Sequence, residues 1–575
     1  MHPTAGLLLA LAASLTWLDP ATLIPGQRGV CITEWSGGQR REIPITVLGL
    51  MDASAPERTA VLIRLDDPEL AGMGVPAGMS GSPVMIDGTL LGAVAFGFAF
   101  ARDPIAGVTP FATMHSIGEK AASAPAPFRA AMVGELAAVA TGRIAPGALL
   151  PALAPASSGR LGRLAVAGLP LGAGSFGQDL LAGAGWDAIP AGTTSDLASI
   201  PAAGDMLAVL LVWGDATIGA GGTVTARDDD TLWAFGHPLF GLGAVRLPVA
   251  RARVLAIQGS YQNPFKFFSV GAPFGALIAD RPAGVLARAG AVPDGIPVAV
   301  RVTDPAGGGS WHFHVADMPL LSPLMVSFLT NACLQARGAL AGEAAVVMTV
   351  TARLRDAREI VVSFAVRSAD APARAAAFAG GVMAVLHNSP FPHPGVAGVE
   401  IDLDRRERLD GATIVEAIPA RTTLAAGEVL TVAVRLHPHQ GVDRHERVEI
   451  CVPTDAAGAM DLIVADGSAF ADYRLRSGII VPATFTDQLS QLAMLESSAT
   501  LVVALESRQR SASLPGATFE AVPPSFGATL ASGLGVKAVT WRPTTVIAAS
   551  RRNLAAPLEG AVRVPLTIRP RLETP

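Results

Sequence analysis

The chain has 575 residues, with 43 Lys and Arg against 48 Asp and Glu and a net charge of −5. Half of the residues are hydrophobic and 16% are charged, which excludes a disordered acidic tail and a basic nucleic-acid-binding protein. At roughly 100 to 200 residues per domain, this length predicts about three or four domains. The 61 glycines and 44 prolines follow no collagen-like period and favour many short strands joined by turns.

The chain begins with an apolar run at residues 5–17, AGLLLALAASLTW. This run has the length of the apolar core of a secretory signal and is too short for an ordinary transmembrane span. We therefore expect residues 1–25 to be a signal peptide, with an uncleaved membrane anchor or a buried first helix as the alternatives. The interpretation predicts an exported protein of the periplasm or cell envelope, associated with the membrane through this segment alone.

The next three segments differ in pattern. Residues 26–117 contain runs such as GVCITEW and TAVLIRL, whose alternation and Val/Ile content predict short strands with tight turns. Residues 118–200 combine Ala-rich pieces such as FRAAMVGELAAVA with Gly/Pro/Ser-rich connections, and predict a helical insert and linker. Residues 201–320 form a second β-rich block, in which residues 228–230, all Asp, are most simply a hairpin turn.

The last segment, residues 321–575, begins with a helical pattern, SPLMVSFLTNACLQARGAL. Strands and turns then alternate to the end, as in AAVVMTVTARL and TLVVALES. This pattern predicts one or two β-sandwich modules of immunoglobulin-like size.

The strongest local signal for chemistry is PAGMSGSPVMIDGTLLGAV at residues 76–94. Gly78 and Gly81 allow backbone angles that are closed to other residues, so the N–H groups of Gly78 and Ser80 can converge on one point, as an oxyanion hole requires. G-x-S-G-x-P is also the pattern of the nucleophile loop in trypsin-like peptidases. We predict Ser80 as the nucleophile and Ser82 as the second choice. The alternative interpretation is an ordinary Gly/Ser hairpin loop.

A serine nucleophile needs a general base. His237 is the strongest of the ten histidines, because AFGHPLFG places it between a glycine and a proline directly after a predicted strand. A structural role for a buried histidine is the alternative. Asp67, in RLDDPEL, is the candidate for the orienting carboxylate, with Asp66 beside it. A turn formed by Asp-Pro is an equally good account of that segment.

The remaining histidines and the cysteines predict no metal site. Two pairs have the spacing that puts both side chains on one face of a strand, but no third ligand or HExxH motif accompanies them. The cysteines lie in no CxxC or CxxH spacing, which excludes a zinc site or a disulfide scaffold. We expect no metal and no cofactor, and a surface position for His115. The residues concerned are His312 with His314, His437 with His439, Cys31, Cys333 and Cys451.

Two segments resemble the SpoIVB-type serine peptidases. GMSGSPVMIDGTLLGAVAFGFAFARDPIAGVTP resembles the nucleophile segment of that family, matching it at Asp87-Gly88, Gly92-Ala93-Val94 and Asp103-Pro104. GTVTARDDDTLWAFGHPLFGLG, residues 222–243, resembles its histidine segment, and Asp67-Pro68-Glu69-Leu70 resembles its aspartate segment. In the family the histidine segment comes first, whereas here Ser80 precedes His237. The two halves are therefore in permuted order.

The resemblance implies a mainly β chain: a trypsin-like double β-barrel with permuted halves at 26–117 and 201–320, followed by the predicted sandwich modules. It implies an exported bacterial serine peptidase that cleaves a protein or peptide substrate of the cell envelope through an acyl-enzyme. Ser80 would be the nucleophile, His237 the general base, Asp67 the orienting acid, and Gly78 with Ser80 the oxyanion hole. The alternative is a catalytically inactive, peptidase-like binding or scaffold protein of the envelope. The oligomeric state is left open.

Overall fold

The computed structural model describes residues 15–570, apart from 52–58, 99, 119–132, 147–161, 170–178, 180, 183–185, 198, 306, 337–343, 407–410, 440, 478–481, 515–516, 520–521, 524, 527, 530–539 and 543. Most of the segment predicted as a signal peptide or anchor lies outside these residues. The structure is 52% strand and 17% helix, which confirms the prediction of a mainly β chain. Within the described ranges, none of the helices has the length and apolar character needed to span a membrane.

The first barrel is a closed ring of six strands. In sequence order they are β1 (Arg28–Glu34), β2 (Arg40–Met51), β3 (Ala60–Leu65), β4 (Pro83–Ile86), β5 (Thr89–Gly97) and β6 (Ile105–Pro110). Neighbours in the ring follow the order first, second, third, sixth, fifth, fourth, and the fourth strand returns to the first. Alternate apolar residues such as Ile43, Ile45 and Val47 point inward and fill the core, as the period of two predicts.

The segment between the barrels contains both helices and strands. They are α1 (Phe111–His115), α2 (Val133–Ala140), β7 (Gly162–Ala167), β8 (Trp186–Pro190) and β9 (Gly192–Thr193). The helical insert predicted for 118–200 thus corresponds to α2, whereas part of the predicted linker forms strands. β7 is Gly/Ala-rich and has no alternating pattern of its own, and it becomes a strand because its backbone pairs with a strand of the second barrel.

The second barrel is also a ring of six strands, two of which are much longer than any in the first barrel. They are β10 (Met206–Gly214), β11 (Thr217–Asp228), β12 (Thr231–Ala234), β13 (Gly243–Gln258), β14 (Phe265–Arg281) and β15 (Gly284–Ala289). Their pairings run β10-β11-β12-β15-β14-β13 and return from β13 to β10. Counted from its own first strand, this ring has the same order as the first barrel. The two barrels are therefore topological equivalents.

The sheet of the second barrel continues into the segment that follows it. The added elements are β16 (Ile296–Thr303), β17 (Gly309–Val315), α3 (Leu321–Gln335), β18 (Ala344–Leu354), β19 (Glu359–Ser368), α4 (Ala371–His387) and β20 (Val396–Arg406). β17 pairs with the end of β10, and the order runs on as β17-β16-β20-β18-β19. α3 and α4 are buried along nearly their whole length against this sheet.

Residues up to 406 therefore extend the sheet of the second barrel, where the sequence predicts the start of the C-terminal sandwich region at 321. The reason is a parallel pairing of β20 with β16, about a hundred residues earlier in the chain. Local patterns carry no information about a pairing of that range.

Two sheets with a shared apolar core form the C-terminal region. The strands of this region are β21 (Ala412–Pro419), β22 (Thr423–Ala425), β23 (Val429–Pro438), β24 (Arg444–Cys451), β25 (Gly458–Asp466), β26 (Thr500–Ser507), β27 (Ser511–Leu514), β28 (Ala517–Phe519), β29 (Thr540–Arg542), β30 (Thr545–Asn553), β31 (Leu558–Glu559) and β32 (Ala561–Arg569), and the helices are α5 (Gly467–Ser477) and α6 (Phe485–Leu492). One of the two sheets has the order β24-β23-β21-β31 and the other β22-β32-β25-β26-β30. A small third sheet is made of β28, β27 and β29.

Candidate active site

The loop that carries Ser80 joins the third and fourth strands of the first barrel and contacts the second barrel. Gly81 has a φ of 93°, in the left-handed region. A Cβ on Gly81 would lie 1.9 Å from the carbonyl oxygen of Thr223 and 2.5 Å from the backbone nitrogen of Phe235. Glycine is therefore required here for two reasons, its backbone angle and the approach of the other barrel. The tight contact seats the Ser80 loop on β11 and β12.

In this loop the backbone carbonyl groups accept hydrogen bonds from the second barrel, whereas the backbone N–H groups are left as donors. The Ser80 carbonyl accepts the N–H of Thr223 at 2.7 Å, and the Gly78 carbonyl accepts the Thr223 hydroxyl at 2.8 Å. Among the described residues, neither the Gly78 N–H nor the Ser80 N–H donates to an acceptor. Both groups remain available as hydrogen-bond donors beside the half-buried Ser80 side chain. This is the arrangement that stabilisation of an oxyanion requires.

His237 follows β12, the third strand of the second barrel. The two residues before it, Phe235 and Gly236, have φ values of 70° and 68°. A left-handed aromatic residue is unusual, and such strain concentrates at functional sites. The His237 Nδ1 donates to the carbonyl oxygen of Pro238 at 2.8 Å, which leaves the lone pair on Nε2. The histidine therefore presents the nitrogen that can accept a proton.

Burial favours the neutral form of His237. Burial lowers the pKa of its imidazole below the usual value, against the opposing effects of the Pro238 carbonyl and the charge of Asp280. A neutral imidazole at neutral pH is the form that acts as a general base.

The two loops meet across the interface between the barrels. Gly81, next to Ser80, packs on Phe235 as described above. Gly236, next to His237, packs on β5, where a Cβ would lie 3.0 Å from both the Ala93 side chain and the Val94 carbonyl. The Thr109 hydroxyl, on β6, donates to the Gly236 carbonyl at 2.7 Å and ties the histidine loop to the first barrel. Ser80 and His237 each come from the connection between the third and fourth strands, and each is adjacent to a residue that packs on the opposite barrel.

The structure places the predicted orienting carboxylate elsewhere. Asp67 Oδ2 lies 2.6 Å from Arg41 Nη2, and Asp67 Oδ1 accepts the backbone N–H of Glu69. Asp66 is likewise engaged, by Arg64 and Thr46. Both carboxylates therefore belong to ion pairs on the first barrel. The pair of Asp67 forms because β2 brings Arg41 to the end of β3.

The carboxylate associated with His237 is Asp280, which the sequence analysis did not identify. Val285 of β15 is the register partner of both Ala234 on β12 and Asp280 on β14, so Asp280 lies close to the point where β12 leads into His237. Asp280 is 1% exposed. The N–H groups of three residues of the loop after His237 donate to it, which makes Asp280 the anchor of that loop. They are Leu239 and Phe240, both at 2.7 Å, and Leu242, at 3.3 Å.

Burial raises the pKa of Asp280, and the backbone hydrogen bonds oppose that rise. The aspartate is the second-last residue of the fifth strand of its barrel, 43 residues after His237 (280 − 237). No local motif marks it, and only its position just before the Pro/Gly-containing sequence RPAG could have indicated a role.

Ser82, the second-choice nucleophile, is fully buried behind the loop. Its Oγ lies 2.8 Å from the hydroxyl of Thr33, which also accepts from Lys266 Nζ at 2.7 Å. Lys266 stands on β14, is 1% exposed, and donates in addition to the Glu34 carbonyl at 2.7 Å. Burial lowers the pKa of Lys266 to about 7, against the opposing charges of Glu34 and Cys31. This network joins the barrels beneath Gly78, and Ser82 belongs to it.

The other candidate ligands are dispersed. His312 lies 3.8 Å from Asp215, His314 stacks on Trp213, and His437 pairs with Asp443 at 2.7 Å. His115 stacks on Trp233. In the described part of the chain, no three His, Cys, Asp or Glu side chains are grouped as a metal ion would require, and the cysteines are free.

Comparison with known proteins bears on one barrel. Neither the curated proteins nor the solved structures contain a match to the chain. Residues 23–114 match the family model described as SpoIVB peptidase S55. This segment contains the whole of the first barrel, with Ser80, whereas His237 lies outside it.

Proposed function

We propose that the protein is a serine peptidase of SpoIVB type, which hydrolyses peptide bonds through an acyl-enzyme formed on Ser80. One observation carries the proposal: equivalent loops of two equivalent barrels meet where Gly81 packs against Phe235, and these loops carry Ser80, with two unbound N–H groups next to it, and the neutral His237. The family match of residues 23–114 supports the class of reaction. Permuted order of the halves is compatible with it, because catalysis depends on the interface geometry and not on connectivity.

In the acylation step, the Ser80 Oγ attacks the carbonyl carbon of the scissile peptide bond while His237 Nε2 takes the hydroxyl proton. The carbonyl oxygen gains the negative charge and accepts hydrogen bonds from the Gly78 and Ser80 N–H groups. The tetrahedral intermediate then expels the amine, which receives the proton from His237. The products of this step are the free amine half of the substrate and an ester on Ser80.

In the deacylation step, His237 takes a proton from water, and the resulting oxygen attacks the ester carbonyl. The same two N–H groups stabilise the second oxyanion. Collapse releases the carboxylic acid, and His237 returns the proton to Ser80. The enzyme is then in its starting state, and one water has been consumed for one peptide bond.

We assign Asp280 in place of Asp67 as the acid that supports the histidine. Its carboxylate acts on His237 through its charge. It also accepts hydrogen bonds from residues 239–242, the loop that follows His237. A negative charge at this point stabilises the imidazolium formed in each step. Asp67 is occupied by Arg41 and has a structural role in the first barrel.

The location of the protein in the cell is the second part of the proposal. The apolar N-terminal run supports export, so the substrate is a protein or peptide of the periplasm or cell envelope. The C-terminal sheets, which lie apart from the Ser80 loop in sequence and have their own core, would bind substrate or envelope partners.

Two observations favour a second function, a catalytically inactive binding or scaffold protein. His237 Nδ1 is bonded to the carbonyl of its own neighbour Pro238 and not to a carboxylate. Among the described residues, the Ser80 hydroxyl makes no hydrogen bond with His237. A serine that is never activated would leave the barrels as a binding module.

Labelling with a fluorophosphonate serine probe decides between the two functions. Wild type, Ser80→Ala, His237→Ala and Ser82→Ala are compared after circular dichroism has shown that each is folded. We expect labelling of wild type, loss of labelling in the Ser80 and His237 variants, and retention in Ser82→Ala if that variant folds. A folded wild type that does not label would favour the binding module. Equal labelling of Ser80→Ala would overturn the assignment of the nucleophile.

A further inference from the structure

Ser80 opens on a cleft between the barrels, which we call the serine cleft. It is bounded by residues 73–77 and 94–98 of the first barrel and by residues 261–264 of the connection between β13 and β14. Arg163 and Asp187, on β7 and β8, complete its rim. The Phe100 N–H donates to the Tyr261 carbonyl at 3.2 Å and joins the two sides.

The walls of the serine cleft expose large apolar side chains. Phe96 and Phe98 are 41% and 50% exposed, and their rings form an edge-to-face pair with centroids 5.9 Å apart. Tyr261, on the opposite side, is 81% exposed. Val75, which is half-buried, adds aliphatic surface to the same lining. Contiguous exposed apolar surface of this kind marks a binding site, because covering it with another apolar group removes it from water.

The charged groups on the rim are already engaged. Arg163 donates to the carbonyl oxygens of Asn263 and Pro264, at 2.9 and 3.4 Å, and its guanidinium lies over the Phe265 ring at 4.1 Å. Asp187 also has interaction partners. A charged substrate side chain that covers Phe96 or Phe98 would lose water without gaining a hydrogen-bonding partner there, which is costly.

The main chain of β5 also faces the serine cleft. The pairing of β4 with β5 ends where Pro83 lies opposite Ala93. The Gly81 N–H then donates a hydrogen bond to the Val94 carbonyl oxygen. Beyond Val94, the pairings of β5 within the described residues are with β6 alone. Residues 95–97 therefore offer an unpaired strand edge, to which an extended polypeptide can add.

From these observations we infer that the serine cleft selects extended polypeptide segments with bulky apolar side chains, aromatic or aliphatic, next to the bond presented to Ser80. Acidic and basic side chains are rejected at the same positions. The inference rests on the proposed function for the chemistry at Ser80, but the selection itself is a property of binding. It can therefore be measured without turnover.

The test uses the full-length Ser80→Ala variant, which keeps the cleft, and three fluorescently labelled peptides that differ only at two central positions: Phe-Leu, Lys-Lys and Glu-Glu. We expect the Phe-Leu peptide to bind about tenfold more tightly, or more, than either charged peptide. Adding Phe98→Ser should reduce Phe-Leu affinity about tenfold and leave the charged peptides unchanged. The matched control is Phe526→Ser, because Phe526 is 44% exposed and lies outside the serine cleft.

Equal binding of the three peptides, tighter binding of a charged one, or no effect of Phe98→Ser would overturn the inference. Fluorophosphonate labelling of wild type reports on the proposed function separately. Labelling together with equal peptide binding would refute the apolar selection and leave the peptidase in place. Apolar selection without labelling would refute the peptidase and leave an apolar binding cleft.

Discussion

The two barrels share one strand order and differ in how far their strands extend. No strand of the first barrel exceeds the 12 residues of β2, and the barrel encloses a core of its own. In the second, β13 and β14 have 16 and 17 residues, and the core runs on into α3 and α4. Strand order decides where the third-to-fourth connections emerge, whereas the extra pairings of β10 with β17 and of β11 with β7 decide what else the barrel supports. The second barrel can therefore anchor further strands without displacing His237.

The barrels also differ in how they shape those connections. The first uses Gly78 and Gly81, whose backbone angles cost little in glycine. The second places Phe235 in the left-handed region before Gly236, and the strain is tolerated because the ring is buried between the barrels. The serine loop thus has a recognisable sequence, whereas the histidine loop is defined by the packing around it.

The largest expected effect is on kcat/KM, and it distinguishes Asp280 of the second barrel from Asp67 of the first. Asp280→Asn keeps the volume and removes the charge beside His237, so we expect kcat/KM to fall about a thousandfold or more. Asp67→Asn, the matched control on the first barrel, loses an ion pair with Arg41 and should change kcat/KM less than about tenfold. Steady-state kinetics on an apolar peptide substrate measure both. A larger loss for Asp67→Asn would return the orienting role to the first barrel.

The next effect tests the contact between the loops. Gly81→Ala combines a left-handed alanine with a clash against Thr223 and Phe235, and should lower the free energy of unfolding by about 3 kcal/mol. Gly88→Ala is the control, because Gly88 also has a positive φ but no atom within 4 Å of an added Cβ. It should cost about 1 kcal/mol, the backbone strain alone. Urea unfolding measures the difference, and equal costs would mean that the loops do not press on each other.

A smaller effect is expected in the pH profile of the second barrel's base. His237 must be neutral to act, and burial lowers its pKa below the usual 6.5. Activity should therefore fall as the pH decreases through that lowered pKa, by about tenfold per pH unit, and should be constant around neutrality. Protonation of Asp280 adds to the loss on the same side. A kcat/KM midpoint above 6.5 would contradict this electrostatic account.

A separate effect, on stability alone, concerns Lys266, which joins the barrels beneath Gly78. Its pKa is about 7 in the folded protein and 10.5 in the reference state, so between these values the unfolded chain binds more protons. The free energy of unfolding should therefore rise with pH across that window. Lys266→Met lacks this contribution, so wild type should gain stability relative to the variant between about pH 7 and 10. A constant difference between the two would show that Lys266 stays charged.

The sequence predicted the first barrel more fully than the rest. Ser80, Gly78 and the strands around them follow from local rules, because alternation and glycine angles act over a few residues. The strands β7 and β8 and the parallel pairing of β20 with β16 could not be predicted in the same way. These elements depend on partners far away in the chain.

By itself the sequence determined a mainly β chain, and it predicted Ser80 as the nucleophile and His237 as its general base. Tertiary structure decided which carboxylate accompanies that histidine. Asp67 lies close to Ser80 in sequence and is taken by Arg41, whereas Asp280 reaches the histidine loop because β15 pairs with both β12 and β14. Backbone angles are set by neighbouring residues, but the partner of a charge is set by the sheet register that brings distant strands together.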